Sequence, residues 1–143
     1  NLVLLDFGAT RRYSREFIQN YVRLLKLAAA KDIPSLIEHS IEFGLIDRRE
    51  SKAAHKAFAE LLETAIRPFF SAAKYFDFSD QRHALNSNEA AKALSTELVY
   101  SPPPYELVFL HRKLAGVYSI LKTLGVQLDV SEYWQKMLDY SDS

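Results

Sequence analysis

Leu2-Val3-Leu4-Leu5-Asp6-Phe7-Gly8 sets four branched apolar residues, the pattern of a buried strand, directly ahead of a carboxylate, an aromatic ring and a glycine. A strand of this kind aims its terminal acid into a cleft. Asp6 then offers the carboxylate oxygen that a hard divalent ion demands. Gly8 permits the backbone turn that follows, and Phe7 reads as packing beside the cleft. The tripeptide alone is weak, since average residue usage places one by chance in a chain this long roughly one time in fifty. The plain alternative is a strand end and a glycine turn, and the apolar run before it argues for the stronger reading. A lone strand is not stable without neighbours, so its partner is expected upstream of Asn1. With no initiator Met and a core strand almost at once, the chain reads as starting inside a domain.

Working outward, the 143 residues suffice for one domain with a real core, and 48% hydrophobic with 25% charged residues is ordinary globular composition. Eighteen basic residues balance eighteen acidic ones. That balance, with no Lys/Arg stripe, excludes a nucleic-acid-binding surface. The pairs Arg11-Arg12, Arg48-Arg49 and Arg112-Lys113 read as solvated helix faces. Cysteine is absent, which rules out a disulfide framework and a thiolate metal site and fits a reducing compartment. No apolar stretch approaches the ~18 residues of a membrane span.

After Gly8 the period becomes helical. Ser14 can cap a helix running to Ala30 with Phe17, Tyr21, Leu24, Leu25 and Ala28 on one face. Asp32 can cap a second, with Pro34 in its first turn and Gly44 as its stop. Asp47 and Glu50 have capping-box spacing ahead of the stripe Ala54, Phe58, Leu61, Leu62, Ala65, Ile66, which must end near Pro68. The aromatics Phe69, Phe70, Tyr75, Phe76 and Phe78 suggest a loop packing back on the core. Asn86 to Glu89 spaces like another capped start, for a helix ending near Val99. Pro102-Pro103-Pro104 form a stiff connector into the strongest helical pattern, Tyr105 to Leu124, closed by Gly125. Asp129 or Ser131 can start a last helix through Tyr133, Trp134 and Leu138, leaving a frayed tail from Asp139. This predicts one mostly α domain over residues 1–143, about six helices plus one short N-terminal strand, with no linker or repeat.

Asp-Phe-Gly after a strand is how protein kinases present their Mg²⁺-binding aspartate. Leu4 to Arg11, Phe43-Gly44-Leu45 with Glu50-Ser51, Pro68-Phe69, and Pro102-Pro103-Pro104 leading to Leu110-His111-Arg112-Lys113-Leu114 and Gly116 together resemble the UbiB-like, AarF-domain atypical kinases of coenzyme Q (ubiquinone) biosynthesis. The resemblance covers essentially the whole chain in order. It implies the C-terminal lobe of a protein-kinase-like fold, and an intact parent that is a Mg²⁺-ATP-dependent transferase or ATPase. Asp6 would be the catalytic residue and Mg²⁺ ligand, with Phe7, Gly8 and Arg11 beside it at the nucleotide; Arg11 would reach a phosphate or fix the loop by pairing with an acid. The missing N-terminal half, carrying the phosphate-covering loop, the paired lysine and the catalytic-loop Asp and Asn, would be its partner, so these residues alone would be inactive. A lipid or isoprenoid-quinone precursor is an implied ligand, and the implied location is the bacterial cytoplasm or membrane periphery, alternatively the mitochondrial matrix side. The competing class is a non-catalytic helical interaction or membrane-surface module, a pseudokinase remnant.

Three residue-level readings stand beside the resemblance. Only Ala9 to Tyr13 separate Gly8 from the Ser14 cap, and no Ala-Pro-Glu occurs, so the platform on which a kinase docks peptide substrates is absent. His111 reads as a hydrogen-bonded core residue before a catalytic one, and His39, His55 and His83 show no metal spacing. Finally, Leu107, Leu110, Leu114, Val117, Leu121 and Leu124 recur at three and four, which marks their helix as the central core element with Gly116 at a close approach.

Overall fold

A computed structural model describes residues 12–70, 75–101 and 105–142. The strand expected at residues 2–5 and the connector Pro102-Pro103-Pro104 lie outside them. Six α-helices account for most of what is described: α1 (Arg15–Ala30), α2 (Ile33–Glu42), α3 (Lys52–Ile66), α4 (Gln81–Glu97), α5 (Tyr105–Thr123) and α6 (Ser131–Asp142). A 3₁₀ turn, Arg67–Phe70, follows α3.

The first two helices begin and end as the sequence dictates. The Ser14 hydroxyl accepts from the Phe17 amide at 3.1 Å, and the Asp32 carboxylate from the Ser35 amide at 3.2 Å. Lys31 closes α1 in the left-handed region at φ 56°, its amide bonded back to the Ala28 carbonyl. Gly44 supplies the same conformation after α2 at φ 75°.

Two starts differ from expectation. Ser51, not Asp47, caps α3, accepting from the Ala54 amide at 3.0 Å. Asp47 is occupied by its own neighbour: the Arg49 amide and guanidinium bond its carboxylate at 2.8 and 2.9 Å, and hold it down at about 2. Helix α4 starts at Gln81, capped by Asp80, so that Asn86 to Glu89 fall in its interior. The last helix extends to Asp142, beyond the fraying expected from Asp139.

The core gathers where α1, α2 and α3 meet, from Leu24, Leu25, Ala28, Leu36, Leu45, Ile46, Phe58 and Leu62. The α3–α4 pair is the most extensive helix contact, and α6 closes over α1 and the 3₁₀ turn. Trp134 of α6 meets Phe69 at 5.5 Å and the edge of Phe70 at 4.8 Å between ring centroids. The aromatic segment therefore does pack back on the body, though as a 3₁₀ turn and a strand residue pair. That pair, β1 (Phe76–Asp77), is antiparallel to β2 (Gln127–Leu128), with Phe76 opposite Leu128. Nothing local announces so short a ladder.

Helix α5 overturns the central-core expectation. Leu114, Val117, Ile120 and Leu124 are 51%, 55%, 62% and 69% exposed, and among the described residues none from α5 joins the buried cluster. A Cβ added at Gly116 would meet nothing within 4 Å, so no close approach explains that glycine. The periodicity correctly gave a helix with an apolar face.

Candidate functional site

The four residues on which the nucleotide-site reading rests, Asp6, Phe7, Gly8 and Arg11, lie outside the described residues. The described chain begins just after them and is helical from Arg15, so the stretch between motif and helix is as short as the sequence implied. The start of α1 forms one wall of a groove of about 360 Å³ whose other wall is α2. Its lining includes Glu16, Phe17, Asn20, Arg23, His39 and Glu42.

An aromatic ladder fixes that wall. Tyr13, just ahead of the Ser14 cap, stacks on Phe17 and Phe17 on Tyr21, with ring centroids 5.0 and 6.2 Å apart, and Phe17 reaches Phe43 after α2 at 5.5 Å. His39 lies buried beneath, its Nε2–H donating to the Asn20 carbonyl at 2.9 Å. In the neutral ring this makes Nδ1 an acceptor, and that buried atom meets no protein donor among the described residues. Two acids and one arginine give the groove mixed charge. It can hydrogen-bond a polar group. Among the described residues no cluster of three His, Asp or Glu can hold a metal ion.

A second, larger and more apolar depression of about 720 Å³ lies between α2 and α3, floored by Ile33, Pro34, Ile37 and Ala59 and rimmed by Glu38, Lys56 and Glu63. Its rim charges pair locally, Glu38 with Arg48 at 2.6 Å and Lys56 with Glu60 at 3.6 Å.

Sequence reasoning missed the most heavily bonded carboxylate. Glu50, read as a cap, turns instead to the chain leaving α4. It accepts from the Tyr100 amide at 2.6 Å, the Val99 amide at 3.1 Å and the Ser101 hydroxyl at 2.8 Å. The Asp47 amide donates in turn to that hydroxyl at 2.8 Å, and the Arg49 guanidinium lies 4.5 Å over the Tyr100 ring. Burial opposes ionisation of Glu50, but these donors outweigh it and hold its carboxyl below the usual value. The partners stand some fifty residues away in sequence, so no local signal reveals the clamp.

His111 is hydrogen-bonded, as read, but through a surface contact that joins α5 to α1: the Tyr21 hydroxyl lies 3.3 Å from its Nε2. Burial pushes the Tyr21 phenol up to about 12, so it stays protonated, and which partner donates follows the His111 tautomer. His83 sits in a different aromatic setting, 5.2 Å from Phe76 and 5.7 Å from Tyr118 of α5.

The sequence motif Asp6-Phe7-Gly8, followed within a few residues by a mostly helical body, points to an atypical kinase. Comparison with known proteins agrees. The chain is 33% identical over 138 residues to the mitochondrial atypical kinase COQ8 of Schizosaccharomyces pombe, covering 96% of this chain and 22% of that protein. It is 30% identical over 138 residues to the COQ8 of Saccharomyces cerevisiae, covering 96% of this chain and 27% of the relative. It is 32% identical over 127 residues to abkA of Dictyostelium discoideum, named as a probable serine/threonine-protein kinase, covering 85% and 22%. The chain belongs with the UbiB-like atypical kinases, and it spans about a quarter or less of the length of these relatives. No protein-family model matches it.

Proposed function

We propose that these residues form the C-terminal lobe of a Mg²⁺-ATP-dependent atypical kinase or ATPase that supports ubiquinone biosynthesis. The observation carrying the proposal is the match along 96% of the chain to COQ8 atypical kinases, with the Asp6-Phe7-Gly8 motif at its start. The donor chemistry fits. Mg²⁺ is held by one or two carboxylates together with phosphate oxygens and waters, not by a protein cage. The single carboxylate of Asp6 is a donor of that kind. When bound, the ion neutralises charge on the phosphates.

The chain's own residues supply the rest of the reading. Asp6 holds the metal and Gly8 lets the backbone turn away from it. The turn leads within five residues to the Ser14 cap, and α1 is anchored by Leu24, Leu25 and Ala28 in the core. The carboxylate is therefore mounted on a short tether to a fixed helix. With so short a segment and no Ala-Pro-Glu, a docked peptide has no platform, which favours hydrolysis or a small or lipid-like acceptor over ordinary protein phosphorylation. An isoprenoid-quinone precursor is such an acceptor. The mitochondrial naming of the relatives supports the matrix side as the location; among the described residues no helix is long and apolar enough to cross a membrane. In the longer protein carrying these residues, Asp6→Asn should remove most ATPase activity while leaving thermal unfolding unchanged. Wild-type turnover in that variant would overturn the assignment of Asp6.

A further inference from the structure

Helix α5 is held to the body differently from its neighbours. Among the described residues the helix pairs with closely packed backbones are α1 with α2, α3 and α6, α2 with α3, and α3 with α4; α5 is in none of them. Two of its side-chain contacts with other helices are histidine–tyrosine pairs. At one, the Tyr21 hydroxyl of α1 lies 3.3 Å from His111 Nε2, with the two rings 6.2 Å apart. At the other the roles are exchanged. Tyr118 of α5 meets His83 of α4, ring to ring at 5.7 Å, in a cluster completed by Phe76, 5.2 Å from His83, and Phe78, 5.7 Å from Tyr118.

The second pair suits an uncharged imidazole. His83 Nδ1 and the Tyr118 hydroxyl are both buried, and neither meets a protein partner among the described residues. Neutral His83 can present Nδ1 bare, so the two atoms form a complementary acceptor and donor. Once protonated, Nδ1 carries hydrogen as well. The phenol oxygen can then accept it only by leaving its own hydrogen unpaired in an apolar site. Burial, with the Arg67 cation beyond α3, holds His83 below its usual 6.5, while Asp80 at the head of α4 acts the other way. The rings that β1 and the residue after it bring, Phe76 and Phe78, are uncharged, and Tyr118 stays a phenol, raised by burial and by Asp80.

The first pair has the same preference. His111 is exposed as a residue, yet its ring is turned to Tyr21, and burial of the imidazole lowers it too. The titratable group facing it from α1 is the Tyr21 phenol, pushed up to about 12, and Arg112 and Lys113 follow it on its own helix. Protonation fixes Nε2 as a donor and sets a charge beside that phenol.

We infer that α5 is a pH-sensitive strap, fastened to α1 and α4 by the His111–Tyr21 and His83–Tyr118 pairs and loosened when the two imidazoles take up protons, while the core of α1, α2 and α3 stays closed. Both imidazoles bind protons less readily when α5 is seated, so the seating is strongest above pH 6.5 and weakens as pH falls below it. Tyr21 continues the ring stack from Tyr13 and Phe17, so the strap ends on the helix that follows Asp6-Phe7-Gly8.

Hydrogen exchange read by mass spectrometry at pH 7 and pH 5 tests it in the longer protein, with the intrinsic pH dependence of amide exchange divided out. Protection of residues 112–123 should fall about tenfold between the two, the size that one unit of proton linkage gives, while protection of residues 22–28 in α1 changes by less than about twofold. In the double variant His83→Phe, His111→Gln neither side chain takes up a proton, and the α5 fall should shrink to less than about twofold. Where a melting curve at pH 7 shows that the double variant does not fold, each single variant should remove part of the fall. Equal α5 protection at the two pH values would overturn the inference. So would a fall that the variants leave intact, or one that α1 shares in full, which marks general acid unfolding in place of a loosened strap. ATPase activity is not read, so an inactive parent leaves the test intact.

Discussion

Replacing Gly116 with alanine should stabilise α5, although the sequence pattern, which buries this face, gives the opposite sign. Gly116 lies within the 19-residue helix and has no positive φ to protect. A Cβ built there finds open space to 4 Å, so no packing loss opposes the substitution. What remains is the helix-propensity difference between glycine and alanine, about 1 kcal/mol. That energy corresponds to about a fivefold smaller opening constant for the turns around it. Native-state hydrogen exchange on residues 1–143 reads this directly: the amides of Val117 to Leu121 should exchange about fivefold more slowly in Gly116→Ala. Amides of Leu24 and Leu25, buried in the core away from Gly116, serve as the internal reference. Gly116→Leu should shift exchange in the same direction, since leucine too has a higher helix propensity than glycine and the Cβ position is open. Faster exchange in both variants would refute the reasoning and show that a neighbour fills the space beside Gly116.

Three other outcomes follow from described contacts. Leu36→Ala should cost about 2–5 kcal/mol in chemical denaturation, since Leu36 is fully buried at 0% exposure where α2 enters the core; a change under 1 kcal/mol would show that α2 is not packed as described. The folded-state pKa of Glu50 lies below its ordinary value of 4.5, so its contribution to stability is present above that pH and is lost as pH falls through the folded pKa. Glu50→Gln should therefore lower the melting temperature at pH 7 and flatten the acid limb of the stability curve; an unchanged limb would count against the clamp. Burial, with the Arg67 cation nearby, lowers the pKa of His83 below 6.5 while Asp80 acts the other way. A buried neutral base of this kind stabilises above 6.5 and loses that contribution as pH falls below it, so His83→Phe should reduce the loss of stability between pH 7 and 5, and identical pH profiles would remove His83 from the account.

The parts legible in the sequence were those whose causes are local. The caps at Ser14 and Asp32, the stop at Gly44 and the stripe from Phe17 to Ala28 each depend on residues within one or two turns, and α1 and α2 came out nearly to the residue. Asp47 misled because its carboxylate has a closer claimant in Arg49, and Asp80 was overlooked because the capping pattern at Asn86 to Glu89 competes with it. The Phe76–Asp77 ladder with Gln127–Leu128 joins residues fifty apart through two pairs, too short to leave any alternation. Glu50 shows the same limit: its acceptors' partners are chosen by the fold, not by spacing. Of the candidate site, the sequence supplied the motif and its short tether, while the groove containing His39 emerged only when α1 and α2 were brought together.

The Glu50 clamp and the β1–β2 ladder stand at opposite ends of α5. One ties the chain shortly before it to the start of α3; the other ties the chain just after it to the segment entering α4. α5 is thus a beam supported at both ends, resting on the body through Tyr118 and His111 between the supports. A beam held this way cannot roll about its long axis, so the side chains it presents outward keep one direction. A buried glutamate near the start of α3 thereby helps set the direction of an exposed helix face more than sixty residues further along the chain.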